Sequence, residues 1–251
     1  ARDGHTVQPV ELVLAALGAE GVADPPGAVA AAIEAGIVHE TADALSLQRL
    51  AMAESAVAEA VARLTATAEP IEPEDAGDAL DDLDDTQRGA VETVLRHGVS
   101  VLTGGPGTGK SRTVAALVRL AEKQGLPVAL AAPTGRAAKR LEELGDAPAA
   151  TLHRLLGAQG RTGGFARGEE WPLDAELVVV DETSMLDVEL AAALLEACAD
   201  GTHLLLVGDP AQLPSIGPGR VLADLVESGT VPVIELTTLY RQAAGGAIAR
   251  L

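Results

Sequence analysis

The stretch VLTGGPGTGKSRT occupies residues 101–113 and lies between an apolar run and a pattern typical of a helix. It fits the phosphate-loop pattern G-x-x-x-x-G-K-[ST], which starts at Gly104 and ends at Gly109, Lys110 and Ser111. Glycines let backbone N–H groups approach phosphate oxygens closely, and the N-terminus of the following helix favours an anion. The lysine can reach the β- and γ-phosphates, and the serine offers a hydroxyl to Mg²⁺. The stretch therefore predicts a site for a nucleoside triphosphate and Mg²⁺.

A second segment, ELVVVDETSMLD at residues 176–187, supplies the acidic half of such a site. Its four apolar residues predict a buried strand that ends at Asp181 and Glu182. Ligands of open parallel sheets bind at the carboxyl ends of the strands. We expect Asp181 to hold Mg²⁺ through water and Glu182 to orient or deprotonate the attacking water.

The sequence from residue 86 onward alternates between apolar runs and helical patterns. The apolar runs predict strands at Val99–Leu102, Pro127–Ala131, Leu177–Val180, Leu204–Val207 and Val233–Leu236. The helical patterns predict helices at Gln87–Arg96, Thr113–Gln124, Gly135–Leu144 and Val188–Ala199. Such an alternation is typical of an α/β fold with a parallel sheet and helices on both faces. We expect this fold for residues 86–251.

The front of the chain has a different pattern. Residues 1–68 show apolar positions at helical spacing, which predicts a small helical N-terminal domain. Residues 69–85, EPIEPEDAGDALDDLDD, are rich in proline and acid and are typical of a linker.

The charge of the chain is strongly negative, with a formal net charge of -19. Residues 1–85 contain 18 acids and 3 Lys/Arg, whereas residues 86–251 contain 19 acids and 15 Lys/Arg. This balance argues against a general polyanion binder. The acidity of the front predicts a solvated surface or, alternatively, a surface that binds a protein partner.

Several classes of protein are excluded or disfavoured by composition. Cys198 is the only cysteine, which rules out an internal disulfide and a multi-cysteine metal site. The sequence has no apolar run approaching about 20 residues and no signal-peptide pattern at its start, so we expect a cytoplasmic protein with no membrane span. Since the first residue is Ala1, we expect a fragment or a processed chain.

Seven stretches occur together in a fixed order. They are LDDTQ, LTGGPGTGKS, APTGRAAKRL, TLHRLLG, VVVDETSMLD, LVGDPAQLPSIGPG and LYRQAA. They span residues 83–244, and in this order they resemble the motifs of RecD-like helicases of superfamily 1. The resemblance implies a RecA-like first motor lobe that couples ATP hydrolysis to 5′-to-3′ movement on single-stranded DNA. Motifs of a second lobe do not follow Arg241, so we expect this chain to bind nucleotide, hydrolyse it poorly and not unwind DNA.

The resemblance also implies roles for single residues at the nucleotide. Gln87 matches the glutamine that contacts adenine in this family, and Gln212 in GDPAQLPS matches the residue that senses the γ-phosphate beside Asp209. Arg241 in LYRQ matches the arginine that stabilises charge on the transferring phosphoryl group. Lys110 and Glu182 complete the expected catalytic set. The remaining nucleotide contacts are expected from Gly105, Pro106, Gly107, Thr108, Gly109, Ser111 and Arg112.

Two further motifs resemble those that face single-stranded DNA. The expected contacts are Pro133, Thr134, Arg136 and His153. Lys139 and Arg140 add local positive charge, or they form a solvated helix face. Residues 157–174 fall where the family has a small hairpin insertion that supports the duplex fork; the alternative is a flexible surface loop.

Two competing functions stay open at this point. A conjugative relaxase shares the GDPAQLPSI wording, but residues 1–85 contain only His5 and His39 and no tyrosine, whereas a relaxase has a histidine cluster and nucleophilic tyrosines. A nucleotide-gated DNA-binding or regulatory module would bind ATP without turning it over. ATPase assays with and without single-stranded DNA separate this module from a motor.

Overall fold

A computed structural model describes residues 4–73, 77–145, 147–160 and 163–239. The strands are β1 Val7–Pro9, β2 Val38–Thr41, β3 Ala44–Leu47, β4 Val99–Thr103, β5 Val128–Ala132, β6 Ala149–Thr151, β7 Leu177–Val180, β8 His203–Gly208 and β9 Val233–Glu235. The helices are α1 Val10–Ala19, α2 Pro25–Glu34, α3 Gln48–Thr67, α4 Asp85–Arg96, α5 Lys110–Lys123, α6 Gly135–Gly145, α7 Leu152–Leu155, α8 Val188–Ala197 and α9 Val221–Ser228.

The larger sheet has six strands in the order β6-β5-β7-β8-β4-β9, and its pairs are parallel. Strands β4, β7 and β8 are buried along their whole length, as expected for a parallel sheet covered on both faces. This sheet confirms the predicted α/β fold.

Each face of the sheet has its own hydrophobic core. In β7, Val178 and Val180 face a core that includes residues of α3, α8 and α9. Leu177 and Val179 face the opposite core, which includes residues of α4, α5 and α6. The alternation follows the two-residue period of a strand, and it places α5 and α6 on the same side of the sheet.

The front of the chain is not purely helical. Strands β1, β3 and β2 form a separate antiparallel sheet in that order, beside α1 and α2. The prediction of a helical region misses these strands because each has only three or four residues, too few to show a period of two against the neighbouring helical patterns. The boundaries at 68 and 85 stay predictions.

Helix α3 packs against α8, beside the six-stranded sheet. Its Leu50 and Leu64 are fully buried in the same core as the sheet. The Arg63 guanidinium donates to the carbonyl oxygens of Leu195 and Cys198, at 3.0 and 2.9 Å, and pairs with Asp200 at 2.7 Å. Arg63 therefore satisfies carbonyls at the C-terminal end of α8, where a helix has no partners of its own.

No helix in the described parts of the chain is both long enough and apolar enough to cross a lipid bilayer.

Candidate nucleotide-binding site

The glycine-rich loop connects β4 to α5 as its sequence predicts. Gly107 and Gly109 have φ angles of 84° and 94°, in the region that favours glycine. Gly104 lies against the chain near β9, where an added Cβ would lie 2.5 Å from the carbonyl oxygen of Leu236. These positions require glycine for backbone reasons alone, and the loop they form ends at the N-terminus of α5.

The Lys110 ammonium lies over this loop. Its Nζ donates to the carbonyl of Gly104 and, at 3.1 Å, to that of Gly105. The Thr108 hydroxyl donates to the same Gly105 carbonyl at 2.9 Å. The Lys110 cation is thereby held beside the backbone of the glycine-rich loop, which is an arrangement suited to phosphate oxygens.

The acidic pair follows β7 at its carboxyl end. Burial raises the pKa of Asp181, and the charge of Glu182 raises it further. The backbone N–H of Glu182 donates to Asp181 Oδ1 at 2.8 Å and lowers this pKa, as do the charges of Lys110 and Arg140. Buried carboxyl groups with specific charged neighbours are typical of functional sites.

Glu182 has an unusual backbone. Its φ of 55° makes it the one described non-glycine residue with a positive φ. This conformation costs about 1–2 kcal/mol for an L-residue. Thr183 holds the turn in place, because its buried hydroxyl donates to the carbonyl of Val207 at 2.9 Å.

The loop and the acidic pair face one cleft of about 580 Å³. It is lined by Pro106, Gly107, Thr108, Gly109, Lys110, Ser111, Arg112, Ala115, Arg140, Leu144, Asp181, Glu182, Gly208, Asp209 and Gln212. The cleft lies at the carboxyl ends of β4, β7 and β8, where ligands of such sheets bind. The structure therefore brings most of the predicted nucleotide residues together.

The residues of the cleft fit Mg²⁺ bound together with a nucleotide. The described residues include no group of three His, Cys, Asp or Glu side chains that could hold a metal ion. Mg²⁺ is usually held by one or two protein side chains plus substrate phosphates and water. Ser111 and Asp181, which both line the cleft, provide such a pair.

A family described as "AAA domain" matches residues 82–251. The chain belongs to this AAA domain family. The match begins just before α4 and includes the phosphate loop, the acidic pair and the whole cleft.

Named relatives make the resemblance more specific. The RecBCD enzyme subunit RecD of Mycobacterium tuberculosis is 47% identical over 184 residues, which cover 62% of this chain and 32% of the relative. The ATP-dependent RecD2 DNA helicase of Deinococcus radiodurans is 45% identical over 162 residues, which cover 64% of this chain and 22% of the relative. A crystal structure of Pif1 helicase from Candida albicans is 28% identical with a TM-score of 0.45, over 64% of this chain and 41% of that one.

The resemblance to RecD-like helicases is thus confirmed. The chain spans only about a fifth to a third of the length of these two curated relatives.

Gln87 is buried and lies outside the lining of the cleft; its Oε1 accepts from the Asp84 N–H at 3.3 Å, in a capping box that starts α4. Its Nε2 has no hydrogen-bond partner among the described residues. Arg112 lines the cleft, but its guanidinium donates to the Asp82 carbonyl in the acidic segment. Arg241 lies outside the described residues.

Gln212 lines the cleft on the loop after β8. Asp209 orders this loop, because its carboxylate accepts from the Ala211 N–H at 3.0 Å and from Gln212 Nε2 at 3.4 Å. The exposed amide of Gln212 is therefore held at the edge of the cleft by its neighbour in the motif.

The predicted DNA contacts lie together at the carboxyl ends of β5 and β6. Strands β5 and β6 are parallel neighbours, and Ala132 pairs with Thr151. Thr134 and His153 each follow this pair by two residues, so both lie at the carboxyl ends of adjacent strands. Pro133 and Arg136 belong to the same turn into α6. The Thr134 hydroxyl accepts from the Ala137 N–H at 3.3 Å at the start of that helix.

The predicted hairpin insertion contains two short antiparallel contacts. Ala158 pairs with Phe165, and Gly168 pairs with Trp171. The Phe165 ring lies 5.7 Å from the ring of His153, centroid to centroid. The insertion therefore packs beside a predicted DNA residue.

Sequence reasoning missed several residues of the cleft: Ala115, Leu144 and Gly208. Gly208 had a usable sequence signal, because it lies between the end of a predicted strand and Asp209. In the structure, an added Cβ there would lie 2.6 Å from Leu222 Cδ2. Arg140 was predicted to face DNA or solvent, and the structure instead places it on the wall of the nucleotide cleft. A helical pattern alone does not reveal which neighbour a polar face meets.

Proposed function

We propose that this chain is the nucleotide-binding first motor lobe of an ATP-dependent DNA helicase of the RecD-like family, moving 5′ to 3′ on single-stranded DNA. The observation that supports this most is the single cleft shared by Lys110, Asp181 and Glu182. A binding loop alone would suit many proteins, whereas an acidic pair opposite the lysine suits hydrolysis of a bound nucleotide.

The roles of the cleft residues follow from their positions. The loop amides and Lys110 bind the phosphates, while Ser111 and Asp181 would hold Mg²⁺, which would supply positive charge to the phosphate oxygens. Glu182 orients or deprotonates the attacking water. Gln212, held by Asp209, reaches the terminal phosphate from the adjacent loop.

The adenine contact is proposed for Gln87. A buried amide donor without a partner among the described residues calls for an explanation, and a ligand that accepts its hydrogen bond is one. A local shift of the capping box would be needed to expose this Nε2.

Single-stranded DNA is proposed to cross the edge formed by Thr134, Arg136 and His153. These side chains offer a hydroxyl, an exposed guanidinium and an exposed ring, which suit phosphate contacts and base stacking. The hairpin insertion beside His153 is proposed to support the duplex fork. We also propose a cytoplasmic location and a protein partner for the acidic residues 1–68.

The nucleotide part is tested by calorimetry with a non-hydrolysable ATP analogue and Mg²⁺. We expect Lys110→Ala to weaken binding by at least about tenfold, since a charge-assisted contact to phosphate is lost. Lys123→Ala, which removes the same charge from the last residue of α5, should bind like the unaltered chain. Equal binding by all three proteins would refute the site.

The DNA part is tested by fluorescence anisotropy with a labelled oligothymidine. We expect Arg136→Ala and His153→Ala each to weaken binding by about fivefold or more, with a shallower salt dependence for Arg136→Ala. Nucleotide binding without any DNA binding would contradict the motor and support a regulatory nucleotide-binding module.

A further inference from the structure

Arg140 lines the cleft from α6, whereas Lys110 lines it at the start of α5. Helix α6 follows β5, which lies on one side of β7, while the phosphate loop follows β4, which lies on the other side beyond β8. Asp181 therefore follows a strand that lies between the strands preceding the two cations. Arg140 and Leu144 are four residues apart and both line the cleft, so one face of α6 forms this wall.

The three cations that line the cleft differ in their partners. Lys110 donates to two loop carbonyls, and Arg112 donates to Asp82. Arg140 is exposed, and it makes no hydrogen bond or ion pair with another described residue.

We propose that Arg140 binds the terminal phosphate of the nucleotide. This inference rests on the proposed function, because it requires a triphosphate in the cleft. A triphosphate whose Mg²⁺ is held by Ser111 and Asp181 would place its terminal phosphate near the acidic pair, and Arg140 lines the same cleft as that pair. A planar guanidinium also matches phosphate oxygens better than an ammonium does, because it presents two parallel N–H donors.

The proposal gives Arg140 a role different from that of its neighbours on α6. Thr134 and Arg136 are at the start of the helix, at the edge proposed for DNA. Arg140 is one turn further along the same face of α6 and lines the nucleotide cleft. One helix would then contact both ligands, so a shift of α6 on loss of the terminal phosphate would reach the DNA contacts directly.

The test compares nucleotides that differ by one phosphate. Binding of ADP and of a non-hydrolysable ATP analogue, each with Mg²⁺, is measured by calorimetry on the unaltered chain, Arg140→Ala and Arg140→Lys. We expect Arg140→Ala to weaken the triphosphate analogue by about tenfold and ADP by less than about twofold, because only the triphosphate loses a charge-assisted contact. Arg140→Lys should recover part of the loss.

The matched control is Arg96→Ala. Arg96 is exposed on the last turn of α4, at the opposite edge of the sheet, and its removal changes the net charge equally. It should bind both nucleotides like the unaltered chain.

Failure of this inference is distinguishable from failure of the proposed function. If Lys110→Ala weakens both nucleotides while Arg140→Ala weakens neither, or weakens both equally, the role of Arg140 is wrong and the nucleotide site stands. If the unaltered chain binds neither nucleotide, or Lys110→Ala changes nothing, both proposals are wrong. Thermal melts of each variant confirm that the protein is folded.

Discussion

The amino ends and the carboxyl ends of the strands in the six-stranded sheet, called here the amino edge and the carboxyl edge, contain different kinds of polar contact. At the amino edge, where the strands begin, the buried ring of His203 has Nδ1 3.0 Å from the carbonyls of Val94 and His97 and Nε2 3.0 Å from that of Glu69. This one side chain ties α4 and the acidic segment to β8. At the carboxyl edge, Glu182 adopts a costly backbone conformation and the pKa of Asp181 is raised by burial.

The difference separates residues that stabilise the fold from residues that prepare a site. His203 at the amino edge has its partners within the protein, and these contacts contribute to stability. Groups at the carboxyl edge carry costs that the folded chain alone does not recover, which is typical of binding and catalytic positions. The comparison predicts that substitutions at the amino edge destabilise the chain. Substitutions at the carboxyl edge that remove the charge of Asp181 or relieve the backbone of Glu182 should stabilise the chain and reduce its function.

The largest effect is expected at the amino edge, from Gly98→Ala. An added Cβ would lie 2.0 Å from the carbonyl oxygen of Leu64, in the backbone of α3. Because a backbone atom gives way only if the helix moves, we expect a loss of about 3–4 kcal/mol in the free energy of unfolding. Urea unfolding followed by circular dichroism measures it.

Gly89→Ala is the matched control for that substitution. Gly89 is inside α4, and nothing lies within 4 Å of the Cβ that it would gain. This variant should gain about 0.5–1 kcal/mol, because alanine is the better helix former. Similar unfolding midpoints for the two variants would mean that α3 is not fixed against the sheet as described.

Sequence reasoning predicted the carboxyl edge better than the amino edge. The glycine-rich loop and the strand that ends at Asp181 are local patterns, readable from a dozen neighbouring residues each. Gly98 and His203 gave no signal, because what makes them matter is contact with residues 34 and more than 100 positions away. Strand β6 was missed for a related reason, since the three residues Ala149–Thr151 form a strand by pairing with β5, which is distant in sequence.

The position of Arg140 shows the same limit inside the candidate site. Its motif predicted a helix with positive charge, and α6 is that helix. Which side of the helix meets the cleft depends on how α6 packs beside α5. The periodicity of a helical sequence does not predict such packing between elements. The chemistry of the site was therefore predictable up to the identity of its motifs, and less so for side chains on the facing wall.

At the carboxyl edge, Asp181→Asn is expected to stabilise the chain by about 1 kcal/mol at neutral pH. Asparagine keeps the acceptor for the Glu182 N–H and removes the buried charge. Since the pKa of Asp181 is raised in the folded state, the native chain binds the proton more tightly than the unfolded one, and its stability falls as pH rises from the ordinary aspartate pKa of about 3.9 to the raised value.

The advantage of Asp181→Asn should therefore be absent below that window and complete above it. Unfolding curves from acid to neutral pH measure it, with Asp187→Asn at the cap of α8 as a control that should change stability little, because asparagine caps a helix about as well as aspartate. A constant difference across pH would contradict the assigned cost of burial. Mg²⁺-dependent nucleotide affinity should fall in Asp181→Asn at neutral pH, since the carboxylate that would hold the metal through water is lost.

The smallest effect is expected at Glu182, where the comparison of Glu182→Gly with Glu182→Ala isolates the backbone. Both variants lack the carboxylate, so they differ only in how well they tolerate a φ of 55°. Glycine accepts this conformation freely but loses more entropy on folding, which leaves it more stable than alanine by about 0.5 kcal/mol. Denaturant unfolding of the two variants in parallel measures the difference. If the alanine variant were equally stable, the positive φ of residue 182 would carry no energetic cost, and the contrast between the edges would rest on Asp181 alone.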